Sequence, residues 1–359
     1  MRKFDWTVVL RRPFLAVLSE SLSPLSETPS TGRLTVFVRR TPPTPSKAYA
    51  TYWKFAAARQ ALYLKRFSGG LGPWTEDPIL RVYKFTNAYR AADRVSQYLI
   101  SQIIYNGAWS PKDVLFRTIL FKLFNKIETW ELLSSQFGEL KLASFDVPKF
   151  DAVLSRAISS GARIYSAAYI MPNAPRLLEG SYKHRTHLDL LKWIFLSGIG
   201  DKILDSKSMR ECYELLLGIP SVGPFLAYQY AIDLNYSTNF CFSEDDFVQP
   251  GPGALNGIKK CFSDLGEYSP ADAIRWVADR QAAEFAERGL SFNGLWGRKL
   301  HLIDCQNLFC EVDKYARVAH PELSELTGRA RIKQKYSPTG EMPRPMFPPK
   351  WKLEVSLAI

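Results

Sequence analysis

Residues 208–234 read Ser208-Met-Arg-Glu-Cys-Tyr-Glu-Leu-Leu-Leu-Gly218-Ile-Pro-Ser-Val-Gly223-Pro-Phe-Leu-Ala-Tyr-Gln-Tyr-Ala-Ile-Asp-Leu234. A helix closing in Leu215, Leu216 and Leu217 runs into a short turn, and a second helix opens at Pro224. Gly218 is expected to take the positive φ that ends a helix. Gly223 lets another backbone come close, and Pro224 suits a first helical turn. The unpaired N–H groups at the start of the second helix, together with its dipole, make an anion site that needs no charged side chain. The alternative is a tight interhelical turn that binds nothing.

The order leucine, short turn, Pro-x-Val-Gly, helix resembles the helix–hairpin–helix motif. That resemblance implies a non-specific grip on DNA phosphates by Gly218, Ser221, Val222 and Gly223. The charge balance agrees: 47 Lys and Arg face 35 acids among 359 residues, a net +12 that favours a polyanionic partner. With 46% hydrophobic and 23% charged residues, disorder of the whole chain is excluded. The five cysteines are odd in number and form no Cys-x-x-Cys, which argues against a disulfide framework, zinc or an iron–sulfur cluster. A reducing, intracellular compartment is expected, nuclear in a eukaryote and cytoplasmic in a bacterium or phage. His184 and His187 lack a thiolate or carboxylate companion in the sequence nearby, so no metal is expected there. No apolar run approaches the ~18 residues of a membrane span, and no membrane partner or signal peptide is expected.

Around this corner the chain divides in three. Residues 1–47 form a Ser/Thr/Pro-rich arm expected to be partly disordered, with Leu34-Thr-Val-Phe-Val38 as a possible short strand. Residues 48–326 read as one helical domain. Helical spacing recurs from Ala48 to Phe67 and near 86–105, 112–124, 148–160, 187–197, 208–217, 224–234, 252–263, 270–287 and 296–317. Residues 327–359 are basic and then Pro-rich, an irregular arm. Alternating strand patterns are scarce, so the fold class is all-α.

Chemistry-bearing side chains gather downstream of the corner. Glu244, Asp245 and Asp246 could deprotonate a hydroxyl, orient water or hold Mg²⁺. Pro250-Gly-Pro-Gly253 opens a helix and offers N–H groups to phosphate, although no Gly-x-x-x-x-Gly-Lys-[Ser/Thr] loop occurs anywhere. In Phe85-Thr-Asn-Ala-Tyr-Arg-Ala-Ala-Asp-Arg94, helical spacing would set Arg90 and Arg94 on one face, suited to phosphate. Arg117 and Lys122 are further basic candidates in apolar surroundings. A polar stripe on residues 296–317 carries Asp304, Asn307, Glu311 and Lys314.

Several motifs in order resemble the helical 5-hydroxymethyluracil DNA kinase family, earlier described as α-glutamyl/putrescinyl thymine pyrophosphorylases. They are Pro73-Trp-Thr-Glu-Asp-Pro78, Phe85-Thr-Asn-Ala-Tyr-Arg90 with Asp93-Arg94, Phe116-Arg-Thr-Ile-Leu-Phe121 and the corner itself. Asp245-Asp246-Phe247 with the glycines up to Gly257, and Asp304-Cys-Gln-Asn-Leu-Phe-Cys-Glu-Val-Asp-Lys-Tyr315, complete the set. The resemblance implies a DNA-glycosylase-like helical fold. It implies transfer of phosphate from ATP to the 5-hydroxymethyl group of a flipped base in DNA, a step in thymine hypermodification. On that basis Asp245 and Asp246 are the catalytic acids and Mg²⁺ ligands. Arg90, Arg94, Gly251, Gly253 and Lys314 would hold nucleotide phosphates, and Asn87, Gln306, Asn307 and Asp313 would line the substrate pocket. Two alternatives are a DNA glycosylase and a non-catalytic DNA-binding helical protein. Phe225 stands where a Schiff-base lysine would be, which leaves only a monofunctional glycosylase.

Overall fold

The computed structural model describes residues 40–169, 171–172, 182–337 and 342–356. The expected strand at residues 34–38 lies outside them. The described fold is all-α: thirteen helices and one two-stranded antiparallel ribbon, in which β1 (Thr44–Pro45) pairs with β2 (Phe262–Asp264).

In chain order the helices are α1 (Lys47–Phe67), α2 (Pro78–Val82), α3 (Arg94–Tyr98), α4 (Pro111–Phe124), α5 (Ile127–Phe137), α6 (Val147–Ser159) and α7 (Lys183–Leu196). Then follow α8 (Ile199–Asp205), α9 (Met209–Leu217), α10 (Pro224–Leu234), α11 (Pro252–Cys261), α12 (Pro270–Glu287) and α13 (Leu302–Ala319). Their starts are chemically marked. Ser46, Asp77, Ser110, Asp146, Ser208 and Ser269 each accept a backbone N–H of the first turn, and proline sits in the first turn of α2, α4, α6, α10, α11 and α12.

The core centres on α13, whose Leu302, Ile303, Cys305, Leu308, Phe309 and Val312 are all buried. Helix α11 lies directly on it because two glycines remove the side chains between them. A Cβ at Gly253 would stand 2.3 Å from Cys310 Sγ, and one at Gly257 only 1.9 Å from the Phe309 carbonyl oxygen. Helix α1 packs against both, with the Tyr52 and Phe309 rings 4.6 Å apart and Cys261 Sγ 3.7 Å from the Ala48 carbonyl.

Two local expectations are corrected. The helix expected over 86–105 is broken: residues 83–89 are irregular, Arg90–Ala92 form a 3₁₀ turn, and Leu99–Ile104 form a π-helix after α3. Side chains take the backbone groups a helix would use, since Glu311 accepts Thr86 N (3.0 Å) and Asp93 accepts Asn87 N (2.7 Å). The last long helix starts at Leu302 rather than near 296, because Gly294, Trp296 and Gly297 all have positive φ. Arg117, expected as a basic candidate in apolar surroundings, is buried there and spent on interior partners: its guanidinium is 3.8 Å from the Trp109 ring centre and 5.0 Å from that of Trp130, donating to the carbonyls of Gln102, Ile103 and Leu140.

Candidate active site

Helices α9 and α10 meet at the 218–223 corner. Gly218 has φ −71°, not the expected positive value; the positive φ falls on Ser221 at 66°. Ile219 and Val222 turn inward and are buried, and Val222 N donates to the Ile219 carbonyl at 3.1 Å. Gly223 is the N-cap of α10 and supplies no side-chain hydrogen bond, and a Cβ built on it meets nothing within 4 Å. The start of α10 therefore presents backbone N–H groups beside open space, the geometry an oxyanion needs.

The acidic loop runs along these two helices. Phe247 is wedged against Tyr213 of α9 (ring centres 4.8 Å apart) and Tyr228 of α10 (5.8 Å), with the Arg210 guanidinium over its ring at 4.7 Å. Gly251 admits Phe225, since a Cβ there would stand 2.6 Å from that ring. Arg275 of α12 donates to the carbonyls of Asp245 (2.8 Å) and Asp246 (2.5 Å), fixing the backbone between them.

The three acids then part company. Glu244 binds Arg298 (2.5 Å) and Trp351 Nε1 (2.7 Å). Asp246 is exposed. Asp245 lies 3.0 Å from His301 Nδ1 and 3.0 Å from Lys299 Nζ. Partial burial pushes its carboxyl up, but the hydrogen bonds and charges of His301 and Lys299 outweigh that and hold it down at about 2. A carboxylate thus faces Nδ1 of the imidazole, an arrangement that favours the tautomer with the proton on Nδ1 and leaves Nε2 as the acceptor edge.

His301 is placed by α13, whose N-cap it is. Its backbone N–H donates to Asp304 Oδ2 (3.1 Å), and Asp304 Oδ1 accepts Arg90 N (3.0 Å). Burial raises the Asp304 carboxyl against the pull of Arg298 and these N–H donors, leaving it at about 6. Below the loop lies a charged network with no exposed member. Asp233 of α10 accepts from Arg90 Nη1 (2.7 Å) and pairs with Lys122 Nζ (3.1 Å), while Arg90 also donates to Gln229 (2.9 Å) and the Tyr236 hydroxyl (2.9 Å). Tyr169 covers Arg90 and Lys122 and stacks on Phe225 with ring centres 5.5 Å apart.

Of the remaining expected site residues, Asn87, Arg90, Gln306 and Asn307 are linked where the 83–93 segment meets α10 and α13, and Asp313 and Lys314 lie further along α13. Arg90 is 3% exposed and spent on interior partners, whereas Arg94, beyond the break at Asp93, is exposed. Gly251 and Gly253 open α11, and both have a packing reason to be glycine. Gln306 accepts from Gln229 (3.4 Å). Asn307 donates to Thr86 Oγ1 (3.1 Å) and the Asn87 carbonyl (3.2 Å), and Asn87 donates to the Ala92 carbonyl (2.7 Å), so both hold the irregular 83–93 segment. Asp313 belongs to a structural triad with Lys260 (2.9 Å) and Arg317 (2.6 Å), and Lys314 pairs with Glu311 (2.7 Å). Among the described residues no three His, Cys, Asp or Glu side chains gather as a metal cluster. The C-terminal stretch is also tied in: Lys350 Nζ reaches Asn235 Oδ1 (3.0 Å) and the carbonyls of Ser237 (3.3 Å) and Phe240 (2.7 Å), and Trp351 lies over the Arg298 guanidinium at 3.7 Å. Sequence reasoning did not single out His301, Lys299 or Asp233.

The described residues thus form a mostly helical fold in which a helix start without a side-chain cap and a carboxylate–imidazole pair border one loop. The family described as "5-hmdU DNA kinase, helical domain" matches residues 46–325, and the chain belongs to it. The 5-hmdU DNA kinase of Bacillus phage SP10 is 28% identical over 298 residues, covering 78% of this chain and 46% of the relative. The chain thus spans about half the length of that relative. No solved structure matches.

Proposed function

We propose that this chain grips DNA at the 218–223 corner and presents the 5-hydroxymethyl group of an extruded uracil to Asp245 and His301 for phosphorylation by ATP. The hydrogen bond of Asp245 to His301, beside Lys299, carries this reading. It sits on a loop that the two corner helices hold through Phe247, so DNA at the corner and a hydroxyl at the imidazole belong to one rigid assembly. His301 and Lys299 hold the Asp245 carboxyl low. It orients His301, whose Nε2 accepts the hydroxyl proton as the oxygen attacks the γ-phosphorus and the bond to ADP breaks.

Lys299, on a flexible stem beside the pair, neutralises the transferring phosphoryl group. Lys314 stands about 20 Å further along α13 than His301, too far to share that phosphate. Mg²⁺ carried by a nucleotide asks the protein for one or two carboxylates. Asp246 fits, being exposed on a backbone fixed by Arg275, whereas Asp245 is taken up by His301 and Lys299. When bound, the ion would screen the phosphate charge. DNA and the target hydroxyl are the substrates this chain's own residues address, and the triphosphate is the second substrate.

The test is transfer from γ-labelled ATP to duplex DNA containing 5-hydroxymethyluracil, with thymine DNA as control. Label should appear only on the modified base. His301→Gln should lower transfer at least ~10²-fold while leaving DNA affinity unchanged. DNA affinity itself should fall with rising salt. Abasic sites in place of label would mean glycosylase chemistry, and DNA binding without either would reduce the chain to a binding module.

A further inference from the structure

We propose that Arg329, Arg331, Lys333 and Lys335 form a docking row for the phosphate backbone of a single nucleic-acid strand, separate from the 218–223 corner. All four side chains are exposed, and they stand at alternate positions. The segment that carries them lies beyond residue 325, where the match to the family ends. Gly328, at φ 64°, turns the chain from the stretch after α13 into the row.

The backbone beneath the row is held in place. Arg317 of α13 donates from Nη1 to the Arg331 carbonyl at 3.1 Å. Ile332, between two of the cations, lies partly buried against the core. Further on, Lys335 bridges Tyr83 in antiparallel pairing: Lys84 N donates to the Gln334 carbonyl (3.0 Å) and Tyr336 N to the Val82 carbonyl (2.9 Å). An extended chain sets alternate side chains on one face, about 6.6 Å apart. Successive phosphates along one nucleic-acid strand are separated by nearly the same distance, so neighbouring cations can meet neighbouring phosphates in register.

The charges of the row are left without carboxylate partners. Residues 326–337 contain no Asp or Glu, and among the described residues none of the four cations forms an ion pair. Asp313, the carboxylate that shares Arg317 with the row, is already taken by Lys260 (2.9 Å) and Arg317 (2.6 Å). Lys84 on the paired strand is exposed and adds a further positive charge. Uncompensated cations along a tethered strand favour a linear polyanion, whose condensed counterions are released on binding. A lipid surface presents no fixed spacing of charges for the row to match, so a nucleic-acid strand is the better fit. Arg317 stands about 24 Å further along α13 than His301, so the row is distinct from the proposed catalytic pair.

Binding is read without ATP, so the row and the kinase reading fail separately. Fluorescence anisotropy of the full chain with a labelled ~12-nucleotide DNA strand, across a salt series, gives the affinity and its salt slope. Arg329→Gln, Arg331→Gln, Lys333→Gln and Lys335→Gln together should weaken binding at least ~10-fold at low salt and flatten the slope by about 3, at ~0.7 per phosphate contact. Lys149→Gln, Arg156→Gln, Lys192→Gln and Lys202→Gln together remove the same charge from exposed positions on α6, α7 and α8, and should leave both nearly unchanged. An RNA strand of the same length that binds as tightly assigns the row to either nucleic acid, and weaker RNA binding assigns it to DNA; both support it. Equal losses in the two combined variants, an unchanged salt slope, or a row that governs retention on phosphatidylserine vesicles but not strand binding would overturn it.

Discussion

Replacing Asp233 with Asn keeps the size of the side chain and removes one charge from the middle of the molecule. The carboxylate is 1% exposed and is the counter-ion of two cations, Arg90 at 2.7 Å and Lys122 at 3.1 Å. Burial alone would raise its carboxyl, but the charges of Arg90 and Lys122 win and hold it below the usual carboxylate range. Without it, burial weighs unopposed against the charge on Lys122, and Arg90 is left with neutral hydrogen-bond partners only. Removing one partner of a buried ion pair costs about 3–5 kcal/mol. Against a typical total of about 5–15 kcal/mol, that is a large fraction of the folding free energy. Urea unfolding at neutral pH should show the midpoint falling by that free energy divided by the slope, with the slope itself unchanged. The sign with pH is fixed. A carboxylate depressed in the folded state contributes above its unfolded value, and the contribution is lost as pH falls through the folded one, so the gap between wild type and variant should close on acidification. A loss below about 1 kcal/mol at neutral pH would refute the claim that Asp233 neutralises this network.

Asp304→Asn should act in the opposite pH direction. Its carboxyl, raised to about 6, stabilises the fold while protonated, and that contribution is lost as pH rises from about 4 to 6. Thermal melts across that window should flatten in the variant. Gly257→Ala drives a Cβ to 1.9 Å from the Phe309 carbonyl and should separate α11 from α13, lowering stability by about 3 kcal/mol or more in the same urea assay. Asp245→Asn leaves His301 without its anionic partner, so transfer should fall ~10²–10⁴-fold with little change in DNA affinity. Equal losses in both would make Asp245 a folding residue.

The legibility of the chain followed the range over which its interactions act. Helices such as α4 and α12 have apolar spacing, a capping serine and a first-turn proline within one window, and they appear within a residue of where that chemistry places them. The 86–105 region carries equally helical spacing, yet Glu311 reaches Thr86 N from 225 positions away and no local pattern announces it. Arg90 and Arg94 were expected on one face for the same reason, and the break at Asp93 separates them. Acids after the corner could be found by counting, but the choice among them could not. Asp245 is distinguished from Asp246 by His301 and Lys299, 56 and 54 residues on. A signal for His301 existed in the His-x-x-Asp pattern opening a helix, where Asp304 completes a capping box.

The stretch around Lys350 and Trp351 has a practical consequence. The match to the family model ends at residue 325, yet Lys350 ties together the carbonyls that follow α10, and Trp351 grips Glu244 next to the Asp245–His301 pair. The match to the family and the contacts that hold this loop therefore stop at different places. An expression fragment trimmed to the shared region would retain every proposed catalytic side chain and lose the buckle that keeps their loop shut.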